Sequence, residues 1–191
     1  MQRPNSRMVI TLKSLKGSRR SYRSKYKRIY LSEIGLGHFA GANDQNKDTM
    51  STSKANAHWK GTIKEGNGTM RFTGYEGAYT FASRFESGTG TNPEELVGAA
   101  HAGCYSMYLS LLLTEAGLTP TSINTSASVT IAKDDSGPHI TEIALDCKVE
   151  CEGLDEAKLK ELAATTKEKC PISRLYAGGT AKITASATLV K

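Results

Sequence analysis

Two cysteines lie in stretches of sequence that could carry thiol chemistry. Cys104 is part of the Ala/Gly-rich segment NPEELVGAAHAGCYSMYLS, residues 92–110, and Cys170 lies far downstream in KCPIS. A cysteine reacts as its thiolate, so a reactive one needs a nearby cation or a helix N-terminus that lowers its pKa. Position alone leaves Cys104 open to either a catalytic or a packing role. The two thiols can pair only if the fold brings their Cα atoms within about 7 Å.

Cys104 is predicted to lie in the middle of a helix. Asn92 is a favourable N-cap, Pro93 suits the first helical position, and Gly117 ends the helix. Cys104 is then about three turns from the N-terminus, where the helix dipole no longer lowers the pKa of a thiol. The activating cation must come from elsewhere, and His101 or an arginine of another element could supply it.

The apolar residues of this helix recur at spacings of three and four, which predicts one buried face. Its members are Val97, Ala100, Cys104, Met107 and Leu111.

The other two cysteines are predicted to be packing residues. Cys147 and Cys151 alternate with apolar residues on the inward face of a predicted strand over residues 140–151. Free cysteine is often buried, and no histidine or further cysteine nearby completes a zinc site. The chain is not cysteine-dense enough for an exported disulfide scaffold, so we expect a cytoplasmic protein.

The order of predicted elements is that of an α+β domain. A second helix is expected over residues 154–170, ended by Pro171. Strands are expected over residues 57–63, 68–72, 79–84, 125–133, 140–151 and 181–190, the first two joined as a hairpin with its turn at residues 65–68.

The net charge of +6 is unevenly distributed along the 191 residues. Residues 1–49 hold 11 Lys/Arg and 3 Asp/Glu, whereas residues 50–191 hold 14 and 16. We therefore interpret residues 1–49 as a basic extension, disordered or from a wrongly assigned start, with a targeting segment as the alternative. Residues 50–191 form the expected domain, whose balanced charge argues against a nucleic-acid partner. The apolar runs are too short to predict a membrane partner.

Four motifs in order, RFE (84–86), NPEEL, HAGC and CPIS, resemble those of the OsmC/Ohr family of thiol peroxidases, and most closely its osmotically inducible OsmC branch. The resemblance runs from about residues 58–59 to the C-terminus and does not include the basic extension. It implies an antiparallel sheet with long central helices in an intertwined homodimer. The implied role is defence against oxidative and osmotic stress.

The resemblance also assigns the two cysteines. Cys104 matches the peroxidatic cysteine, which reduces an organic hydroperoxide to an alcohol and becomes a sulfenic acid. Cys170 matches the resolving cysteine, which condenses with the sulfenic acid to a disulfide. An external dithiol, of the lipoyl type in this family, then reduces the disulfide. No metal or bound cofactor is implied.

Arg84 matches the arginine of the family's active site, and Glu94 matches the glutamate that orients it. A guanidinium supplies the cation that stabilises a thiolate. Glu94 and Cys104 are about 15 Å apart along a straight helix and point about 80° apart around it. One arginine is unsuited to reach both in one chain, so we expect each site to combine Glu94 of one chain with Cys104 of another in an obligate homodimer.

Two features leave alternatives open. His101 lies one turn before Cys104, so a Cys–His acyl-transfer or hydrolase dyad is a rival enzyme class, although no oxyanion loop is evident. An apolar entrance is expected around Cys104 from its neighbours, which would favour organic hydroperoxides over hydrogen peroxide. These neighbours are Tyr105, Met107, Tyr108 and Leu109.

Overall fold

A computed structural model describes residues 51–190, so the predicted basic extension over residues 1–49 lies outside the described residues. The described part of the chain has the predicted α+β composition. Its strands form two separate three-stranded sheets.

The first sheet is an antiparallel meander. Strand β1 (Ala55–Lys60) pairs with β2 (Asn67–Phe72), and β2 pairs with β3 (Tyr75–Thr80). The predicted hairpin of the first two strands is confirmed, with its turn over residues 61–66.

The strand predicted over residues 79–84 is wrong. Helix α1 (Phe81–Phe85) follows β3 directly because Thr80 starts it with a capping box. The Ser83 N–H donates to Thr80 Oγ1 at 3.0 Å, and the Thr80 N–H donates to Ser83 Oγ at 2.9 Å. Ser83, three residues after Thr80, is the sequence signal for this helix, and the strand-like composition of the segment obscured it.

Helix α2 (Pro93–Glu115) begins and ends as predicted. At its start, Asn92 Oδ1 accepts a hydrogen bond from the Glu95 N–H at 2.8 Å. At its end, Gly117 adopts the left-handed conformation with a φ of 79°, which terminates the helix. Contrary to expectation, α2 is long and apolar enough to suit a membrane span. The core helices of soluble proteins share both properties, so this is weak evidence for a membrane.

The predicted buried face of α2 is wrong. Met107 is 78% exposed, Ala100 is exposed and Cys104 is only partly buried. The helix is apolar around nearly its whole circumference, so the spacing of apolar residues does not identify the face that packs in one chain. The buried side chains and backbone positions are Glu94, Gly98, His101, Tyr105, Leu109 and Leu113.

The second sheet is built on two long strands. β4 (Pro120–Asp134) and β5 (Gly137–Cys151) are antiparallel, whereas β6 (Lys182–Leu189) lies parallel to β5. A parallel pair needs a crossover, and α3 (Glu156–Lys169) and α4 (Pro171–Tyr176) form it. The sequence does not predict α4, since Pro171 signals the end of the preceding helix as well as the start of a new one.

The core lies between α2, the second sheet and α3. The predicted inward face of β5 is confirmed, with Cys147 and Cys151 buried among its apolar residues. Gly98 lets α2 approach β4 closely, because a Cβ there would lie 3.3 Å from Val129 Cγ2. The Tyr105 hydroxyl donates to the Ala163 carbonyl at 3.2 Å, which ties α2 to α3. This packing fixes the position of the helix that carries Cys104.

Candidate active site

The fold brings Cys104 and Cys170 into contact. Their Sγ atoms lie 2.9 Å apart across 66 residues of sequence, and both thiols are free. Cys104 is partly exposed, whereas Cys170 is fully buried at 0% exposure. Only a short movement separates this arrangement from a disulfide bond, whose length is about 2.05 Å.

Cys170 holds its place because one helix ends and another begins at this residue. Its N–H donates to the Thr166 carbonyl at 2.9 Å, completing α3, and its own carbonyl accepts from the Arg174 N–H at 2.9 Å, which starts α4. Pro171 suits the first position of α4, since its fixed φ is helical and it has no N–H to leave unpaired. The sequence KCPIS therefore turns the chain sharply at the thiol.

The environment of Cys104 within one chain favours the thiol. Burial raises the pKa of Cys104 above its usual value, and the hydrogen bond from Cys170 raises it further. The backbone N–H of Ile172 acts in the opposite direction, since it donates to the sulfur and lowers this pKa. Among the groups of the described chain that shift this pKa, none is a cationic side chain. The described part of one chain therefore supplies no positive charge that lowers the pKa of Cys104 and makes it strongly nucleophilic.

Arg84 and Glu94 form a second cluster at the start of α2. Arg84 Nε donates to both carboxylate oxygens of Glu94 at 3.2 Å, and Nη2 donates to Oε1 at 2.7 Å. Glu94 is buried and Arg84 is partly exposed. The guanidinium also lies 5.0 Å from the centre of the Phe85 ring. These contacts fix the direction of the guanidinium.

A cavity of about 200 Å³ opens beside this ion pair. Arg84 and Glu94 line one side, and Ala127, Val129 and Ile131 of β4 line another. Asn92 and Glu95 also line it, so the cavity joins an ion pair and further polar groups to an apolar wall, a surface suited to a group with an apolar body and a polar end.

The structure thus joins the four predicted site residues in two pairs. It places Cys104 with Cys170, and Arg84 with Glu94, but the two pairs lie at different turns of α2. Glu94 and Cys104 are about 15 Å apart along the helix axis. The predicted contact of Arg84 with Glu94 is present and involves both carboxylate oxygens, and the catalytic roles of all four residues stay predictions.

His101 contacts a residue that sequence reasoning missed. Its Nε2 atom lies 2.7 Å from Ser173 Oγ, and both side chains are buried. Burial lowers the pKa of His101, so the ring is neutral at ordinary pH. The only hint of this partner in the sequence is the position of Ser173 within KCPIS, three residues after Cys170. Since Ser173 engages the nitrogen and solvent does not reach this pair, the structure gives no support to a Cys–His or Ser–His hydrolase.

The surroundings of the predicted apolar entrance also differ from expectation. Tyr105 and Leu109 are fully buried in the core and do not border an entrance, whereas Met107 is largely exposed. Within residues 51–190 there is no group of three or more His, Cys, Asp or Glu side chains that could hold a metal ion.

Comparison with known proteins finds a family match. The sequence profile of the family described as "OsmC-like protein" matches residues 86–186. This range includes Glu94 and both site cysteines and begins two residues after Arg84. The chain is 48% identical over 125 residues to Peroxiredoxin OsmC of Escherichia coli, with 64% of this chain and 87% of that protein covered. It is 25% identical over 93 residues to organic hydroperoxide resistance protein-like 2 of Staphylococcus epidermidis, with 49% and 65% covered.

Solved structures share the fold. An OsmC-like protein from Mycoplasma pneumoniae aligns with a TM-score of 0.59 at 17% identity, over 74% of this chain and 99% of that one. The organic hydroperoxide resistance protein OhrB of Bacillus subtilis aligns with a TM-score of 0.54 at 24% identity, over 71% and 98%. These likenesses agree with the α+β architecture described above.

Proposed function

This chain belongs to the OsmC-like protein family, and we propose that it is a thiol peroxidase that reduces organic hydroperoxides to alcohols through Cys104. The contact between Cys104 and Cys170 carries the proposal, since two free thiols 2.9 Å apart are placed to form a disulfide. The similarity to a peroxiredoxin at 48% identity supports the reaction class.

The first step is attack of the Cys104 thiolate on the terminal oxygen of the hydroperoxide. A sulfur–oxygen bond forms, the O–O bond breaks, and the leaving alkoxide takes up a proton to become the alcohol. Cys104 is oxidised to a sulfenic acid. In the second step Cys170 sulfur attacks Cys104 sulfur, the S–O bond breaks and water leaves, which yields the disulfide. An external dithiol then reduces the disulfide by thiol exchange, and the enzyme holds no bound cofactor.

The cation for the first step comes, in this proposal, from a second copy of the chain. Burial raises the pKa of Cys104, whereas Arg84 is held by Glu94 about three turns away. A homodimer that sets Cys104 of one chain against Arg84 of the other would complete two sites at once. The exposed face of α2 supports this, because small residues there permit close approach of a second helix. They are Ala99, Ala100 and Gly103.

The preference for organic hydroperoxides rests on exposed apolar side chains beside both half-sites. Phe85 is next to Arg84, Met107 lies one turn after Cys104, and Leu175 belongs to the helix that follows Cys170. All three are exposed in one chain. Joined across a dimer, they would offer an apolar approach to the thiol, which stabilises the carbon chain of a substrate but not hydrogen peroxide.

The test is peroxide titration of the reduced protein, with free-thiol counting and mass spectrometry of peptides. We expect one disulfide, between Cys104 and Cys170, and turnover when a dithiol is supplied. Cys104→Ser should abolish turnover, and Cys170→Ser should allow one oxidation and then stall as sulfenic or sulfinic acid. Cys151→Ala is the matched control, since this buried thiol lies on β5 outside the site and its replacement should preserve turnover.

Two results would contradict the proposal. One is full turnover in Cys104→Ser. The other is higher efficiency with hydrogen peroxide than with tert-butyl or cumene hydroperoxide, which would remove the assignment of organic hydroperoxides as substrates.

A further inference from the structure

A buried hydrogen bond joins the same two helices as the thiol contact. His101 of α2 and Ser173 of α4 are 0% and 2% exposed, and His101 Nε2 lies 2.7 Å from Ser173 Oγ. The Tyr176 ring packs against the His101 ring in an edge-on arrangement, with centroids 5.6 Å apart. The pair therefore lies inside the contact between α2 and α4.

The hydrogen bond and the thiol contact form two neighbouring links. His101 is three residues before Cys104, and Ser173 is three residues after Cys170. Along α2, a spacing of three brings His101 and Cys104 onto the same face one turn apart. Cys170 is the cap residue that precedes α4, and Ser173 belongs to the first turn of that helix. The Ile172 N–H, which donates to Cys104 sulfur, lies between them. The start of α4 is thus joined to α2 by the thiol contact and by the His101–Ser173 hydrogen bond.

His101 is not placed to act on the reacting atoms itself. Its Nε2 is engaged by Ser173, and its Nδ1 has no hydrogen-bond partner among the described residues. Burial lowers the pKa of His101, so the neutral ring supplies no cation for the thiolate. A role in this site must therefore pass through Ser173 and the helix that carries it.

Burial of His101 and Ser173 stabilises the fold less than burial of an apolar pair would. His101 Nδ1 is buried without a hydrogen-bond partner among the described residues, which destabilises the fold, whereas an apolar side chain of similar volume would leave no such atom. A hydrogen bond has a direction and a narrow range of lengths, which an apolar contact lacks. The pair thus gives α4 a defined position at the expense of stability.

We propose that the His101–Ser173 hydrogen bond positions Cys170 for its attack on the Cys104 sulfenic acid. The inference rests on the proposed function. In this step the sulfur–sulfur bond forms as the S–O bond breaks, with the sulfenic oxygen leaving as water. α4 has only six residues, so its first turn depends on contacts with α2 for its position. A displacement of about 1 Å at a reacting group can slow a step by about 100-fold.

Single-turnover kinetics separate this role from a general loss of stability. Ser173→Ala removes the hydroxyl from α4, and His101→Leu removes the partner from α2 at similar volume. In both variants we expect peroxide to oxidise Cys104 within about twofold of the wild-type rate. Disulfide formation should slow by about 10- to 100-fold. Cys104 should then accumulate as sulfinic acid at lower peroxide concentrations.

Two further variants serve as controls. Ser173→Thr keeps a hydroxyl at the same position and should restore disulfide formation to near the wild-type rate. Ser106→Ala removes a different hydrogen bond of α2, the 2.8 Å contact with Thr125 on β4, and should leave both steps unchanged.

The possible outcomes are distinct. Wild-type rates of disulfide formation in both Ser173→Ala and His101→Leu would overturn the positioning role, as would an equal slowing in Ser106→Ala. If the wild-type protein forms no Cys104–Cys170 disulfide with peroxide, the proposed function fails and the positioning role fails with it.

Discussion

Arg84 binds the carboxylate of Glu94 in its own chain. Glu94 lies in the first turn of α2, ten residues before Cys104. The contact has three hydrogen bonds and fixes the guanidinium beside the first turn of α2. Within residues 51–190, no cationic side chain is among the groups that shift the pKa of Cys104. In the proposed active site, Arg84 of one chain therefore lies beside Cys104 of the other chain.

Mixed dimers should recover activity from two inactive variants. Cys104→Ser and Arg84→Gln chains each form dimers with no complete site. A mixed dimer has one site that combines the intact Cys104 of one chain with the intact Arg84 of the other. Refolding the two variants together in equal amounts should restore about a quarter of wild-type peroxidase activity, since about half the dimers are mixed and each has one complete site.

The same experiment has a clear opposite result. If each chain used its own Arg84, the mixed dimer would hold one site without the thiol and one without the cation. Activity no greater than the average of the two separate variants would contradict the shared site. Cys104→Ser refolded with Cys170→Ser is the matched control, because both substitutions remove members of one thiol pair and no mixed site is complete.

Loss of Arg84 should move the pH dependence of Cys104 reactivity upward. Burial raises the pKa of Cys104 in one chain, and a nearby guanidinium lowers a thiol pKa by about 1–3 units. At neutral pH, Arg84→Gln should therefore slow alkylation by iodoacetamide by about 10-fold or more. Arg84→Lys should give an intermediate profile because it keeps the charge but loses the bidentate contact. A profile of Arg84→Gln identical to that of the wild type would show that another group supplies the cation.

Gly103→Leu should separate the dimer while preserving the fold of each chain. A Cβ at Gly103 meets no atom within 4 Å in one chain, so the added side chain has room there. In the proposed dimer it would enter a close contact between helices, where overpacking costs about 1–3 kcal/mol. Sedimentation should show dissociation at concentrations at which the wild type is dimeric, with loss of peroxidase activity. Glu115→Leu, at an exposed position of the same helix, should stay dimeric and active.

Stability should fall in mild acid because of His101. Burial lowers the pKa of this ring below the 6.5 of an unperturbed histidine, so the unfolded chain binds its proton first as pH decreases. The free energy of unfolding then decreases from pH 6.5 down to the folded-state pKa, with a slope of up to about 1.4 kcal/mol per pH unit. Denaturant midpoints measured between about pH 8 and pH 5 at fixed protein concentration check this. His101→Leu should show a smaller decrease, and an equal decrease would assign the effect to other groups.

Part of the fold follows from the sequence because it depends on local chemistry. The cap at Asn92 and the alternation along β5 follow from short patterns, whereas the four candidate site residues were predicted from the resemblance to a family, and their roles stay predictions. The buried face of α2 does not follow from such a pattern, because apolar residues cover most of this helix and the packing partner decides which of them are buried. α4 and Ser173 were missed for a related reason. A proline is compatible both with the end of one helix and with the first position of another. The second helix forms here as part of the crossover to β6, which local sequence does not reveal.

The contact between Cys104 and Cys170 also bears on how the protein resists heat and proteolysis. A bond between them closes a loop of 66 residues, which includes β4, β5 and α3. Closing a loop of this length removes roughly 4 kcal/mol of conformational entropy from the unfolded chain. If the proposed disulfide forms, the oxidised protein should therefore be harder to unfold than the reduced one. By thermodynamic linkage, whatever stabilises the native chain also favours its oxidised state. In the proposed mechanism, each catalytic cycle would alternate between a more stable oxidised form and a less stable reduced form of the protein.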